Sequence, residues 1–430
     1  MNLCFNYPII YWNCACAITD SGGIGTGTDY NKVAITINKM KNSGIKVKLP
    51  DINESAYEFK PNKEDGSIFC GLKSLANVGD EIVMKIIENR PYSSVQDFYD
   101  RVKPTKQVMV SLIKGGAFDT FMERKICMAW FIWNTCDKKK RLTLQNMAGL
   151  IKYNLVPTEE ANMKLAVRVF EFNRYLKAMC KFGSDKYKLD ERAINFLVEI
   201  GADNIVGQDF VISKTSWDNV YQKYMDTLRD WLSKNKEETL VKLNELIFLD
   251  DWNKYAKGTI SDWEMDALCF YYHEHPLSRA NTAKYSFADF FSMPEDPVVD
   301  RTFVKGDKEI KMFVLKKICG TCIAKDKNKS TVSLLTPTGV VTVKMSKGLF
   351  SLYDKQISVR NPDGTKTIKE KSWFNRGSKI VVQGIRTGEE FFAKKYASSG
   401  GHHLYKIDEI EKDGDLILRH ERYQGEAEDE

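Results

Sequence analysis

The side chains best suited to chemistry in this chain are few, and most lack the partners a reaction needs. Cys319 and Cys322 stand at CxxC spacing and His402-His403 follows, which are zinc-donor types. No second CxxC accompanies them, and strand alternation would turn Cys319 and Cys322 to opposite faces. His273, Glu274 and His275 form a second candidate, but no third ligand stands at suitable spacing. That segment reads more simply as a helix broken at Pro276, with a capping histidine. The glycine-rich SGGIGTG (21–27) lacks the Lys-Ser/Thr partner of a phosphate loop and reads as a turn. No catalytic triad, P-loop or deaminase pattern occurs, so neither a catalytic residue nor a metal site is assigned.

What remains is backbone chemistry at glycine-containing turns between helices. In GLKSLANVGDEIVMKII (71–87), Leu75 and Val78 bracket a turn at Asn77-Val78-Gly79. A glycine there permits a tight bend and leaves the next helix's first N–H groups open to a phosphate oxygen. Such a contact grips a nucleic-acid backbone without reading sequence. Asn77 takes the place of a first glycine, and asparagine tolerates positive φ. A second turn, Lys114-Gly115-Gly116-Ala117-Phe118-Asp119, offers backbone access at Gly115 and Gly116 and charge at Lys114. Phe118 reads as a core anchor between the turns and Asp119 as a helix N-cap. Duplex contacts are therefore expected at Lys73, Asn77, Val78, Gly79, Lys114, Gly115 and Gly116. The alternative is helix–turn–helix packing with no ligand.

These turns need helices to hold them. DYNKVAITINKMKNSGIKV (29–47) places Val33, Ile37 and Met40 on one face, with Gly44 as its stop. Residues 125–260 read as mostly helical. Trp217, Tyr221, Tyr224, Leu228 and Trp231 form an aromatic stripe at core spacing, and LDERAINFLVEIGAD (189–203) ends a helix at Gly201. From 303 to 410 the pattern changes to short β-rich runs separated by Gly, Pro, Asn or Asp turns, enough for a small barrel.

Charge follows the same division. Residues 301–400 hold 21 Lys and Arg against 8 Asp and Glu, a net of +13, so the other 330 residues sum to −7 of the total +6. A basic module on a mildly acidic body suits phosphate contact, and the alternative is a solvated lysine-rich surface. The 43% hydrophobic and 12% aromatic content excludes wholesale disorder. No apolar run reaches a membrane span. The N-terminus has an apolar patch without the basic region of a signal peptide. Ten cysteines without framework spacing read as reduced, cytoplasmic thiols.

LPDINES (49–55), IFCGLKSLANVGDEIVMKIIENRPYSSVQDF (68–98) and SLIKGGAFDTF (111–121) together resemble the region after the fingers of bacterial replicative DNA polymerases, the C-family alpha subunit of DNA polymerase III. There a Pro-Asp-Ile/Val-Asn-x-Ser segment precedes tandem helix-hairpin-helix elements. Tyr7-Pro8 and Tyr11-Trp12 are similar to a stretch in that family's fingers. WEMDALCFYYHEHPLSR (263–279) resembles its E-x-x-x-LGFYLSGHPL signature at Glu264, Leu268, Phe270, Tyr271, His275, Pro276 and Leu277. Cys269 replaces the family's glycine, and His273-Glu274 its Ser-Gly.

The resemblance implies an α+β multidomain chain: helix-hairpin-helix elements in a helical N-terminal part, then a C-terminal OB-fold β-barrel. The expected segments are 1–60 (a remnant of the fingers), 61–135 (tandem hairpins), 136–262 (helical region), 263–299 (connector), 300–420 (OB-fold) and 421–430 (acidic tail). OB-folds stack single-stranded bases on aromatics beside a basic groove. Phe313, Trp373, Phe374, Phe391 and Phe392 supply rings, of which one or two are expected to stack and others to fill the barrel core, and Lys327, Lys329, Lys344, Lys371, Arg376 and Lys394 supply charge. Trp373 is the first expectation for stacking, because it lies in a basic stretch (358–377) that reads as an inserted hairpin with an Asn-Pro-Asp-Gly turn.

The family's palm aspartates, which hold two Mg²⁺ ions, have no counterpart here, so no cofactor is assigned to this chain. The resemblance thus implies the DNA-holding rear of a polymerase, with the catalytic half on a second polypeptide as in a split phage or bacterial gene, or a partial gene product. Expected partners are duplex and single-stranded DNA and that catalytic half. The nearest candidate for a sliding-clamp peptide, Gln145–Leu150, lacks the terminal hydrophobic-aromatic pair. A stand-alone DNA-binding module is the alternative. An RNA-binding OB protein is disfavoured by the LPDINES and GAFD runs.

Overall fold

The computed structural model describes residues 8–22, 25–360, 366–397 and 401–423. The Tyr7-Pro8 pair, SGGIGTG, the Asn-Pro-Asp-Gly turn and the acidic tail fall wholly or partly outside them. Two compact units form: Met1–Met128 with Gly258–Glu430, and Ala129–Lys257.

In the first unit, α1 (Ile9–Ser21) packs on α2 (Tyr30–Asn42). Val33, Ile37 and Met40 are at most 1% exposed, as their spacing predicts. Asp29 caps α2 by accepting the Lys32 N–H at 3.1 Å. Gly44 ends it at φ 74°, with the Ile45 N–H returning to the Met40 carbonyl. Short strands β1 (Val47–Lys48), β2 (Lys60–Pro61) and β3 (Ile68–Phe69) form a small sheet in the order β1-β3-β2. Three helices follow, α3 (Asp80–Glu88), α4 (Val95–Val102) and α5 (Lys106–Lys114), and α6 (Arg124–Thr135) begins in this unit and ends in the second.

The second unit contains α7 (Met147–Lys152), α8 (Ala161–Met179), β4 (Lys181–Phe182), β5 (Lys186–Lys188), α9 (Glu191–Glu199), β6 (Val211–Ser213), α10 (Lys214–Lys234) and α11 (Lys236–Tyr255). Trp217 and Leu228 of the aromatic stripe are fully buried, with Tyr221, Tyr224 and Trp231 packed against them. The buried Trp217 indole donates to Asn173 Oδ1 at 3.0 Å, which satisfies its one polar atom.

The first unit resumes with α12 (Ile260–Ala267), α13 (Thr282–Tyr285) and the hairpin β7 (Val299–Lys305) and β8 (Lys308–Phe313). Then come β9 (Lys316–Asp326), β10 (Thr331–Leu335), β11 (Val340–Lys344), α14 (Lys347–Asp354), the hairpin β12 (Ile357–Arg360) and β13 (Lys366–Glu370), β14 (Lys379–Thr387), β15 (Glu390–Ala393), β16 (Leu404–Ile410) and β17 (Leu416–Arg419).

Strands β9, β10, β11, β15 and β14 pair in that order, and β14 returns to β9. The sheet therefore closes into a five-stranded barrel with OB-like topology. Only the β11–β15 pairing is parallel. Its interior holds Ile318, Cys322, Val332, Val343, Phe350, Trp373 and Phe391. Among the described residues no helix is long and apolar enough to cross a membrane.

Candidate nucleic-acid interface

The first hairpin turn has the shape its sequence predicts, with the conformational roles exchanged. Asn77 is the left-handed residue, at φ 63°. Gly79 has an ordinary φ of −82° and caps α3. Asn77 and Gly79 are exposed on either side of buried Val78. A Cβ added at Gly79 would meet nothing within 4 Å, so the approach to the first-turn N–H groups of α3 is open. Lys73 does not join them. It is 8% exposed, and its ammonium pairs with Asp80. Asp80 also accepts the Tyr57 hydroxyl at 2.7 Å and the Gly25 N–H at 2.9 Å. These donors, Lys73 foremost, hold its carboxyl down at about 2. Lys73 thus neutralises the acid at the helix start; its expected phosphate contact is corrected.

The second turn differs from its expectation in a similar way. A Cβ at Gly115 would stand 2.4 Å from Leu75 Cδ2. Gly116, at φ 84°, would bring one 2.6 Å from Arg124 Nη2. Both glycines are buried and let helices pack, so neither presents its backbone to a phosphate. Phe118 is the expected anchor, edge-on to Phe98 at 5.0 Å. Asp119 is no N-cap: its carboxylate grips Arg124, with Nη2 at 2.8 Å. Arg124 also reaches the fully buried Glu264 at 3.1 Å. The LPDINES run proves to be a clip. Asn53 exchanges two hydrogen bonds with the Tyr92 backbone, and Asp51 accepts the Thr120 hydroxyl at 2.9 Å.

Three expected residues do converge. Asn77, Lys114 and Arg376 line one cleft of about 280 Å³, with Gln107, Ser111 and Asp266. Lys114 pairs there with Asp266 at 2.7 Å. Arg376, expected at the barrel's single-strand surface, instead stands beside the first hairpin, its guanidinium 4.6 Å from the Tyr30 ring centroid.

On the barrel, the leading stacking expectation is overturned. Trp373 is 0% and Phe374 2% exposed. The Trp373 indole donates to Glu370 at 2.8 Å, and its ring lies 4.7 Å from Tyr353. Both residues follow β13 and turn back into the barrel, so they are core. Phe391 is equally buried. The accessible face lies elsewhere. Register sets Lys344 beside Phe392, with the ammonium 5.4 Å from the ring centroid. Lys394 sits 5.0 Å from the Phe313 centroid and 5.4 Å from that of Tyr396. Tyr396 was not among the expected residues; the signal for it was its place in the EFFAKKY run. Lys329 and Lys371 are exposed, and Lys327 stands 3.6 Å from Asp354.

The other two motifs are structural. Cys319 packs against Leu277, Val381 and Ile407, while Cys322 lies inside the barrel, so one ion cannot bridge them. His275 Nδ1 accepts the Leu277 N–H at 3.1 Å and its Nε2 faces the Leu335 carbonyl at 2.9 Å, which fixes the neutral Nε2–H tautomer. Burial pushes its pKa from 6.5 down to about 4. The unfolded chain therefore takes up the proton first. The His275 contribution is complete above pH 6.5 and is lost as pH falls from 6.5 to 4, about 3 kcal/mol in full. Urea midpoints of the first unit's own transition at successive pH values should show this fall, and His275→Gln should flatten it. Gln145–Leu150 spends its apolar side chains internally: Met147 and Leu150 are fully buried in the second unit's core.

Helix-hairpin-helix elements and an OB-like barrel stand in one polypeptide, and residues 44–126 match the family model for the helix-hairpin-helix motif. The chain is 37% identical over 446 residues to probable DNA polymerase YorL of Bacillus subtilis (strain 168), covering 98% of the chain and 34% of that relative. The same figures hold for the DNA-directed DNA polymerase of Bacillus phage SPbeta. DNA polymerase III subunit alpha of Campylobacter jejuni is 26% identical over 223 residues, 48% of the chain and 18% of that protein. The chain is thus a relative of DNA polymerases, DNA polymerase III alpha subunits among them, and spans about a third of the length of its Bacillus and phage relatives.

Proposed function

We propose that this chain is the DNA-holding part of a polymerase of the DNA polymerase III alpha type, organised as end of fingers, tandem hairpins, helical region, connector and OB-fold. The observation that carries this reading is the open, Gly79-capped start of α3 within the matched motif. Phosphate oxygens of a duplex approach there and take the free N–H groups. Asn77, Lys114 and Arg376 line the adjoining cleft and add polar contacts.

Single-stranded template runs over the barrel face bearing Phe392, Phe313 and Tyr396, with Lys344 and Lys394 between them. Nucleotide addition belongs to a catalytic palm outside these 430 residues, so primer extension by this chain alone yields no product. The test is a titration of the full chain with labelled oligo-dT. Phe392→Ala and Phe313→Ala should each weaken binding by on the order of 1–3 kcal/mol. Trp373→Phe, a core change, should leave affinity unaltered. Unchanged affinity in both alanine variants would remove the barrel from single-strand binding.

A further inference from the structure

The second unit carries a small sheet whose outer face no function above uses. Strands β4, β5 and β6 pair in that order. Tyr187 and Ile212 pair on the inner face and are 2% and 1% exposed in the core. Register matches Phe182 with Lys186, Lys186 with Ser213 and Lys188 with Val211, so these side chains share the outer face. Phe182 is 51% exposed, with the Lys188 ammonium 6.0 Å from its ring centroid.

At the far edge, Asp209 and Phe210 both take φ 56°. Two successive left-handed residues with side chains are strained backbone. They leave Phe210 58% exposed, tied by its carbonyl to the Leu189 N–H. Residues 174–188 hold five Lys or Arg and one acid, Asp185. Among the described residues, Lys177, Lys181, Lys186 and Lys188 have no ion-pair partner. The facing groups from neighbouring elements are Lys214, which donates to the Ser184 carbonyl, and Asp190, bound to the Tyr175 hydroxyl and the Ala193 N–H.

We infer that this outer face is a second single-strand surface, on which an unpaired base stacks on Phe182 while Lys186 and Lys188 meet the phosphates and exposed Phe210 stands at its edge. The inference rests on the reading of the chain as DNA-holding. A purely solvated sheet has no use for two exposed phenyl rings, and a lysine-only face would grip duplex equally well. Neighbouring strands lie about 4.8 Å apart, so a three-stranded face is about as wide as one extended nucleic-acid strand. Flat rings among unpaired cations are the general means of holding unpaired bases.

The experiment uses the full chain and fluorescein-labelled oligo-dT of about twenty nucleotides, long enough for more than one site. Phe182→Ala with Phe210→Ala should weaken binding about tenfold or more. Exchange of Lys186 and Lys188 for glutamine should reduce the slope of log affinity against log salt by about 1.4. Both variants alter exposed side chains, and unchanged amide-exchange protection at buried Tyr187 and Ile212 confirms that the sheet is folded. Wild-type binding with wild-type slope in both variants overturns this surface while leaving the hairpins and barrel intact. No binding by the wild-type chain overturns the DNA-holding reading itself. Loss of binding to polyglutamate but not to oligo-dT assigns the face to an acidic protein and also overturns the inference.

Discussion

Glu264→Ala should destabilise the first unit by on the order of 3–5 kcal/mol, among the largest single-residue effects expected in the chain. Glu264 is 0% exposed and is held on every side. Arg124 Nη1 lies at 3.1 Å and His273 Nδ1 at 2.6 Å, and the Tyr272 and His273 N–H groups donate to the second oxygen at 2.9 and 3.2 Å. Removing the carboxylate leaves Arg124, itself 5% exposed, with Asp119 as its one remaining carboxylate, and orphans two backbone donors. Glu264→Gln keeps an acceptor and should cost less. Because the chain has two units, one global midpoint is a poor gauge. Amide exchange at Tyr272 and His273 reports the site directly. Exchange there within about threefold of wild type would contradict the expectation.

Gly79→Leu should leave stability within about 0.5 kcal/mol and weaken duplex binding roughly 10- to 100-fold. Its φ suits any residue and its Cβ would enter open space, so the fold is indifferent to the change. A phosphate seeking the α3 N–H groups is not. Gly115→Leu is the opposite case. Its Cβ would collide with Leu75, and overpacking costs about 1–3 kcal/mol or more before any ligand is considered. Gly116 carries a positive φ besides. A variant that combines Gly79 with Gly116 therefore conflates folding with binding. Wild-type duplex affinity in Gly79→Leu would show that the hairpin only packs.

The hairpins and the barrel were legible because their signals are local. Asn77 and Gly79 flank a buried valine, and the β-rich runs from Ile318 to Gly384 are separated by turn residues. The residues that were misassigned depend on distant partners. Lys73 reads as a free cation until Asp80 folds back on it. Gly115 reads as an open backbone until Leu75 fills the space above it. Trp373 follows a basic hairpin in sequence, yet its ring faces Tyr353 and its indole faces Glu370, neither deducible from spacing. The sheet of β4, β5 and β6 went unseen because strands of two or three residues carry almost no alternation.

The most direct measurement is the affinity of the full chain for a primer-template duplex and for oligo-dT across rising salt. Both ligands should bind at low salt, with little dependence on base sequence and with log affinity falling linearly and steeply against log salt. Absence of binding to either DNA at about 50 mM salt, or an affinity indifferent to salt, would contradict the DNA-holding role.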